Sequence, residues 1–225
     1  ARSRLNVLEG MHTFHYQDAI MGVNHYIDNL IQRYGLDNLQ ILEYDYAYYR
    51  RLDPGKTWAV PGRLVPDKPL LISMPFAGFG TVHPQMKEIL DECERKGIAI
   101  HVDAAWLSAS RGIDFDFAHP CVESVAFSLS KGLSLWWNRI GIRYTKTFNA
   151  HDAISIYNRF HMIPNGLMDV GLHYINNVPP DHLWDIHGSQ YDQACAKLYL
   201  RPLCTVHTAM SMDRSKIYGM KKVLT

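Results

Sequence analysis

Short apolar runs separated by helical patterns constrain this chain more than any other feature. Leu39–Leu42, Leu70–Met74, Ile98–Val102, Val122–Phe127 and Arg139–Tyr144 each read as a strand, and the aliphatic ones look buried on both faces. Asp18–Tyr34 places Ile20, Val23, Ile27, Leu30, Ile31 and Tyr34 on one helical stripe, and Gly35 follows as a C-cap. Pro84 opens a second helix running to Lys96, with Met86, Ile89, Leu90 and Cys93 inward and Gly97 past its end. Further helices are expected at about 150–160, 165–177 and 181–199, and one more strand over Leu203–Met212. Strands alternating with helices predict an α/β fold, a three-layer α/β/α sandwich around a mostly parallel sheet.

The chain is long enough to bury a large core without covalent staples: 225 residues, read as one domain spanning 1–225. Hydrophobic residues are 47% and charged residues 20%, which argues against disorder. Lys and Arg total 23 against 22 Asp and Glu, a net charge of +1, which argues against a nucleic-acid or anionic-membrane partner. Cys93, Cys121, Cys195 and Cys204 are scattered with no Cys-x-x-Cys pair, so neither a zinc ribbon nor a disulfide framework is expected, and a reducing, cytoplasmic setting is. No apolar run has membrane-spanning length, and the first residues lack a signal-peptide pattern. The chain does not begin with Met, which fits a processed chain or a fragment. Residues 53–69, with Pro54, Pro61, Pro66 and Pro69, read as a surface loop.

Ligands of open α/β sheets bind at the carboxyl ends of strands. Asp103 ends the third strand, Lys131 follows the fourth in Ser128-Leu129-Ser130-Lys131-Gly132-Leu133, and Arg139 opens the fifth. A carboxylate at the mouth of an apolar strand is costly unless partnered. An aspartate, a lysine and an arginine at neighbouring strand ends suit pyridoxal 5'-phosphate. That cofactor takes a lysine as a Schiff base, a carboxylate at its pyridine nitrogen, and a cation with backbone donors at its phosphate. Arg suits the phosphate because its planar fork gives bidentate bonds.

The ordered set of motifs resembles the fold-type I pyridoxal-phosphate enzymes of the aspartate aminotransferase superfamily. Ser128-Leu129-Ser130-Lys131 followed by Arg139-Ile140-Gly141 matches that family's Ser-x-x-Lys and Arg-x-Gly. Asp103-Ala104-Ala105-Trp106 matches its Asp-x-Ala-Tyr, with Trp106 in place of tyrosine. The resemblance covers roughly residues 10–200, the family's large domain, and implies that the usual small domain is absent or strongly reduced. It implies Lys131 as Schiff-base lysine and proton shuttle, Asp103 at the pyridine nitrogen, and Arg139 with Ser128 at the phosphate. It also implies a phosphate cup over Thr13–Ala19 using Tyr16 and Gln17, and an aromatic stacking on the ring, Tyr46 or Tyr48. Trp106 would offer only an indole N–H where the family has a phenol. The family's asparagine after the second strand has no counterpart in Met74-Pro75-Phe76-Ala77-Gly78. Arg111, Arg143, Arg159 and Arg201 are the candidates for a substrate carboxylate. The implied activity is transamination of an amino acid or related amine, in a homodimer.

Other readings follow from single features. A pyridoxal-phosphate lyase would use the same scaffold, and a non-catalytic fragment could retain the fold. His12, His15, His101 and Asp103 could suggest a metal-dependent hydrolase, but their spacing matches no compact zinc signature, so no metal is expected. The Tyr44–Tyr49 cluster could stack nucleobases, although without a basic groove core or dimer packing is the better reading. Trp136-Trp137 is expected in a core or a subunit interface.

Overall fold

The computed structural model describes residues 3–52, 58–132, 135 and 137–224. Strand β1 (Val7–Glu9) precedes β2 (Tyr16–Ile20), which turns at Gly22 into α1 (Val23–Tyr34). Then come β3 (Gln40–Ile41), α2 (Ala47–Leu52), β4 (Leu70–Ser73), α3 (Met86–Arg95), β5 (Ile100–Ala104) and β6 (Asp114–Asp116). β7 (Val122–Ser128) runs into the single turn α4 (Leu129–Gly132), followed by β8 (Gly141–Thr145), α5 (Ala153–Arg159), α6 (Asn165–Asn177) and α7 (His182–Lys197). β9 (Leu200–Pro202), β10 (Thr208–Ser211), β11 (Ile217–Gly219) and α8 (Lys221–Leu224) end the described chain.

Six strands form the central sheet in the order β2-β8-β7-β5-β4-β3. β3, β4, β5 and β7 are parallel, whereas β8 runs antiparallel to β7 and β2 antiparallel to β8. Successive strand residues point to opposite faces, so each apolar strand serves two cores. On one face α1 packs Val23, Tyr26, Ile27 and Leu30 against Ile41, Leu71 and Ala126. On the other, α3 packs Met86, Ile89 and Cys93 against Ile72, Ile100, Val102 and Val125. Burying each such aliphatic side chain contributes about 1.5–3 kcal/mol. The result is the expected α/β/α sandwich with a mostly parallel sheet. The antiparallel β9–β10–β11 sheet packs beside α7 through Leu183, Trp184, Tyr191, Val206 and Ala209.

Residues 16–20 overturn one expectation. Ile20 falls on the α1 stripe by spacing, yet the segment is a strand and the helix begins only at Val23. Gly22, at φ +74°, breaks the chain direction there, and Asp18 sits opposite Arg143 in the β2–β8 ladder. The third and fifth strands shift forward to Ile100–Ala104 and Gly141–Thr145. The strand expected over Leu203–Met212 is reduced to Thr208–Ser211 between two partners. Trp137 is 95% exposed and belongs to no core. Pro54, Leu133 and Trp136 lie outside the described residues.

Arg143, considered above for a substrate carboxylate, is instead the hub that ties β8 to its neighbours. It is buried, with Nη2 at 2.5 Å from Asp18 and Nη1 at 2.7 Å from Asp152, and it also donates to Asn29 and Ser155. Asp152 caps α5 by accepting the Ser155 N–H at 3.1 Å. Removing the guanidinium would strand two carboxylates in a dry interior. Arg143→Met is therefore expected to cost about 3–5 kcal/mol, read from the urea unfolding midpoint, with the cavity described next still formed in the fraction that folds.

Candidate active site

Strand direction brings the chemistry to one edge of the sheet. Ser73 ends β4 beside Asp103 of β5, and Ala104 pairs with Phe127 of β7. Because β8 is antiparallel, its first residue, Gly141, lies beside the last residue of β7, Ser128, and also beside Ile20 at the end of β2. Lys131, Arg139 and the Gly22 turn therefore open onto the same edge as Asp103. There they line a cavity of about 200 Å³ with Ser73, Trp106, Ser128 and Ser130, while Tyr46, Val23 and Asn24 complete the wall.

Asp103 is buried. Its Oδ2 accepts the Tyr49 hydroxyl at 2.7 Å and its Oδ1 the Ala105 N–H at 2.9 Å. Burial pushes its carboxyl above the ordinary range, against the pull of those two bonds and of the Lys131 charge. A carboxylate held this way favours a cationic N–H as its next partner. Lys131 is half-buried, and its Nζ lies 4.8 Å from the centre of the Trp106 ring. Burial, and then the positive charge of Arg139, hold its amine below the usual lysine range, with Asp103 opposing. A lysine shifted in that direction gives up its proton more readily and is the better nucleophile.

The third component is an anion cradle. Gly22 caps α1, a 12-residue helix; the Gly22 carbonyl accepts the His25 N–H at 3.1 Å, and the Val23 and Asn24 N–H groups ahead of that bond open the helix N-terminus toward the cavity. The Arg139 guanidinium crosses this end, donating from Nη2 to Asn24 Oδ1 at 3.2 Å. Gly22 sits at φ +74° and ψ 168°, a backbone conformation that favours glycine, and a Cβ there would also lie 3.0 Å from that nitrogen. Ser130 Oγ, buried in the same wall, has no hydrogen-bond partner among the described residues. An orphaned hydroxyl in a polar wall is what a bound anionic or oxygen-bearing ligand would satisfy. Lysine, partnered carboxylate, arginine, helix end and orphaned hydroxyl all fit pyridoxal phosphate.

The structure brings Lys131, Asp103, Arg139, Ser128, Trp106 and Tyr46 together and leaves Tyr16 and Gln17 out. Those two lie on the outer strand β2, Tyr16 exposed beside Phe148 and Gln17 paired with Tyr144, and neither is among the lining residues, whereas Val23 and Asn24 just after the Gly22 turn are. A strand, a glycine and then an amphipathic helix was the available signal for it. Tyr48 packs against Tyr46 at 6.1 Å, and only Tyr46 is among the described lining residues. None of Arg111, Arg143, Arg159 and Arg201 is among the described residues lining the cavity. Arg111 is held by Asp192 and stacks on Trp184. His101 lies behind the site, bonded to Ser124 at 2.7 Å and Tyr34 at 3.2 Å, with burial pulling it down to about 3. Sequence reasoning missed Asp45, Tyr49 and Ser73, which only tertiary contacts bring here, and gave no role to Ser130, which the α4 turn places beside Lys131.

No family model matches the chain, and no curated protein matches it by sequence. Solved structures do match. A probable N-succinyldiaminopimelate aminotransferase from Thermus thermophilus superposes with a TM-score of 0.62 at 18% identity, over 86% of this chain and 61% of that one. Tyrosine aminotransferase from Leishmania infantum gives 0.65 at 14% identity, over 88% and 65%. A PLP-bound C-S lyase from Staphylococcus hominis gives 0.63 at 11% identity, over 86% and 58%. The chain thus spans about three-fifths of the length of the structures it matches. Over that span its fold is that of the large domain of aspartate aminotransferase-like, fold-type I pyridoxal-phosphate enzymes.

Proposed function

We propose that the chain binds pyridoxal 5'-phosphate through Lys131 and acts as an aminotransferase on an amino acid or related amine. The observation that carries this reading is the convergence of Lys131, Asp103, Arg139 and the α1 N-terminus on one cavity. When bound, the cofactor supplies an electron-withdrawing ring that stabilises negative charge on the substrate carbon bearing the amino group. Asp103, fixed by Tyr49 and Ala105, holds the proton on the ring nitrogen. Arg139, the Val23 and Asn24 N–H groups, Ser128 and Ser130 hold the phosphate. The Lys131 amine, kept reactive by burial and by Arg139, would hold the cofactor and serve as the base that moves a proton from the substrate carbon. Such positioned proton transfer contributes about 10²–10⁴ in rate.

A lyase on the same scaffold is the second reading, favoured by the C-S lyase match at a TM-score between those of two aminotransferases. The products separate the two: a keto acid with the cofactor in its amine form, or an eliminated fragment with the cofactor unchanged. Four cysteines unpaired in the structure support a reducing, cytoplasmic setting. The exposed Trp137, on the segment between Lys131 and Arg139, supports a homodimer built around this edge.

Added pyridoxal phosphate is expected to give the purified chain a visible absorption band that Lys131→Ala lacks, with the variant still folded by circular dichroism. Wild type without a band, or an undiminished band in the variant, contradicts the reading. Gly22→Ala places a methyl against Arg139 at a left-handed backbone position. It is expected to weaken cofactor binding roughly tenfold or more, read by spectrophotometric titration, because such strain costs about 1–3 kcal/mol.

A further inference from the structure

Behind the cavity wall, bonded to Ser73, lies a second buried carboxylate, Asp45, between β3 and α2 and 4% exposed. Its Oδ1 accepts the Tyr46 N–H at 2.6 Å and the Ser73 hydroxyl, and its Oδ2 accepts the Ser73 N–H at 3.1 Å. Ser73 Oγ in turn accepts the Ala77 N–H at 3.0 Å. Ser73 and Ala77 line the cavity, and Ser73 is the β4 residue paired with Asp103.

A serine hydroxyl has one hydrogen and two lone pairs. With Asp45 ionised, the hydrogen goes to Asp45 and one lone pair to Ala77, which leaves the cavity a lone pair. With Asp45 protonated, the carboxyl O–H donates to Ser73 and Ala77 takes the other lone pair, so the hydroxyl hydrogen turns to the cavity. We propose that Asp45 is a positioning residue whose proton decides whether Ser73 offers the bound ligand a donor or an acceptor. The inference rests on the pyridoxal-phosphate reading: that ligand carries anionic and acceptor oxygens into the cavity Ser73 lines, and such oxygens require the donor form. Cofactor binding is then linked to proton retention at Asp45.

The groups facing Asp45 agree with a proton being available there. Asp103 on β5 opposes its ionisation, Tyr49 of α2 has its hydroxyl committed to Asp103, and Lys131 and Arg139 line the same cavity. Burial, reinforced by Asp103 and opposed by the bonds from Ser73 and Tyr46, pushes the Asp45 carboxyl up to about 7.

The test measures pyridoxal-phosphate Kd for wild type and Ser73→Ala from about pH 6 to about pH 8 by tryptophan fluorescence quenching. In parallel, ¹³C NMR follows the aspartate carboxyls of ligand-free wild type. Asp45→Asn serves only to assign the resonance, since an amide cannot accept every bond that Asp45 does. The proposal expects wild type to bind more tightly than Ser73→Ala at the acid end. That advantage shrinks as pH rises, by up to about tenfold per pH unit above the Asp45 midpoint, which should fall near neutrality. A wild-type to variant ratio that stays flat with pH, or an Asp45 midpoint in the ordinary carboxylate range, overturns the inference and leaves the cofactor reading standing. Absence of binding by folded wild type overturns both.

Discussion

The reversal of strand direction between β7 and β8 is the constraint on which the site depends. In a wholly parallel sheet the strand after β7 would begin at the far edge, and Arg139 would open it at the wrong end. Here Gly141 pairs with Ser128, so the residues just before β8 face those just after β7. The antiparallel β2 repeats the device: Ile20 also meets Gly141, and the chain leaving β2 turns at Gly22 into α1 beside Arg139. Arg143 secures the arrangement from within β8, because its buried pairs with Asp18 and Asp152 fix β2 and α5 against the same strand.

That geometry determines the electrostatics. The parallel strands deliver carboxylates, Asp103 directly and Asp45 through Ser73, into a wall where burial raises both. The antiparallel pair delivers the cation and the helix end. Lys131 lies between these two halves, depressed by burial and by Arg139 and supported by Asp103. Its backbone carbonyl contacts His207 at 3.2 Å, and His207 packs edge-on against Trp106, so the β9–β11 unit braces the lysine turn from the other side.

Much of this was legible in the sequence where one physical signal dominated. The α6 span matches its expected 165–177 limits, and the aliphatic strands lie within a few residues of where their apolar runs place them. Asp103, Lys131 and Arg139 were legible because charged residues directly flanking apolar strands are costly without a purpose. Local periodicity failed at residues 16–20, where Ile20 satisfies both a helical stripe and a strand and only the ladder to β8 decides. The same reading put Tyr16 and Gln17 at a helix start, whereas they lie on β2 away from the cavity lining. Arg143 looked available because its partners, Asp18 and Asp152, are remote or unremarkable in sequence. Asp45, Tyr49 and Ser73 carry no motif, and their roles arise from packing of α2 over the ends of β4 and β5.

The proposed chemistry depends on Lys131 being the residue to which pyridoxal phosphate attaches. Borohydride reduction of the chain in the presence of pyridoxal phosphate, followed by proteolysis and mass spectrometry of the peptides, tests it most directly. A single phosphopyridoxyl group is expected, carried on the peptide holding Lys131. Labelling of other lysines with Lys131 unmodified, or no stable label at all, would contradict it.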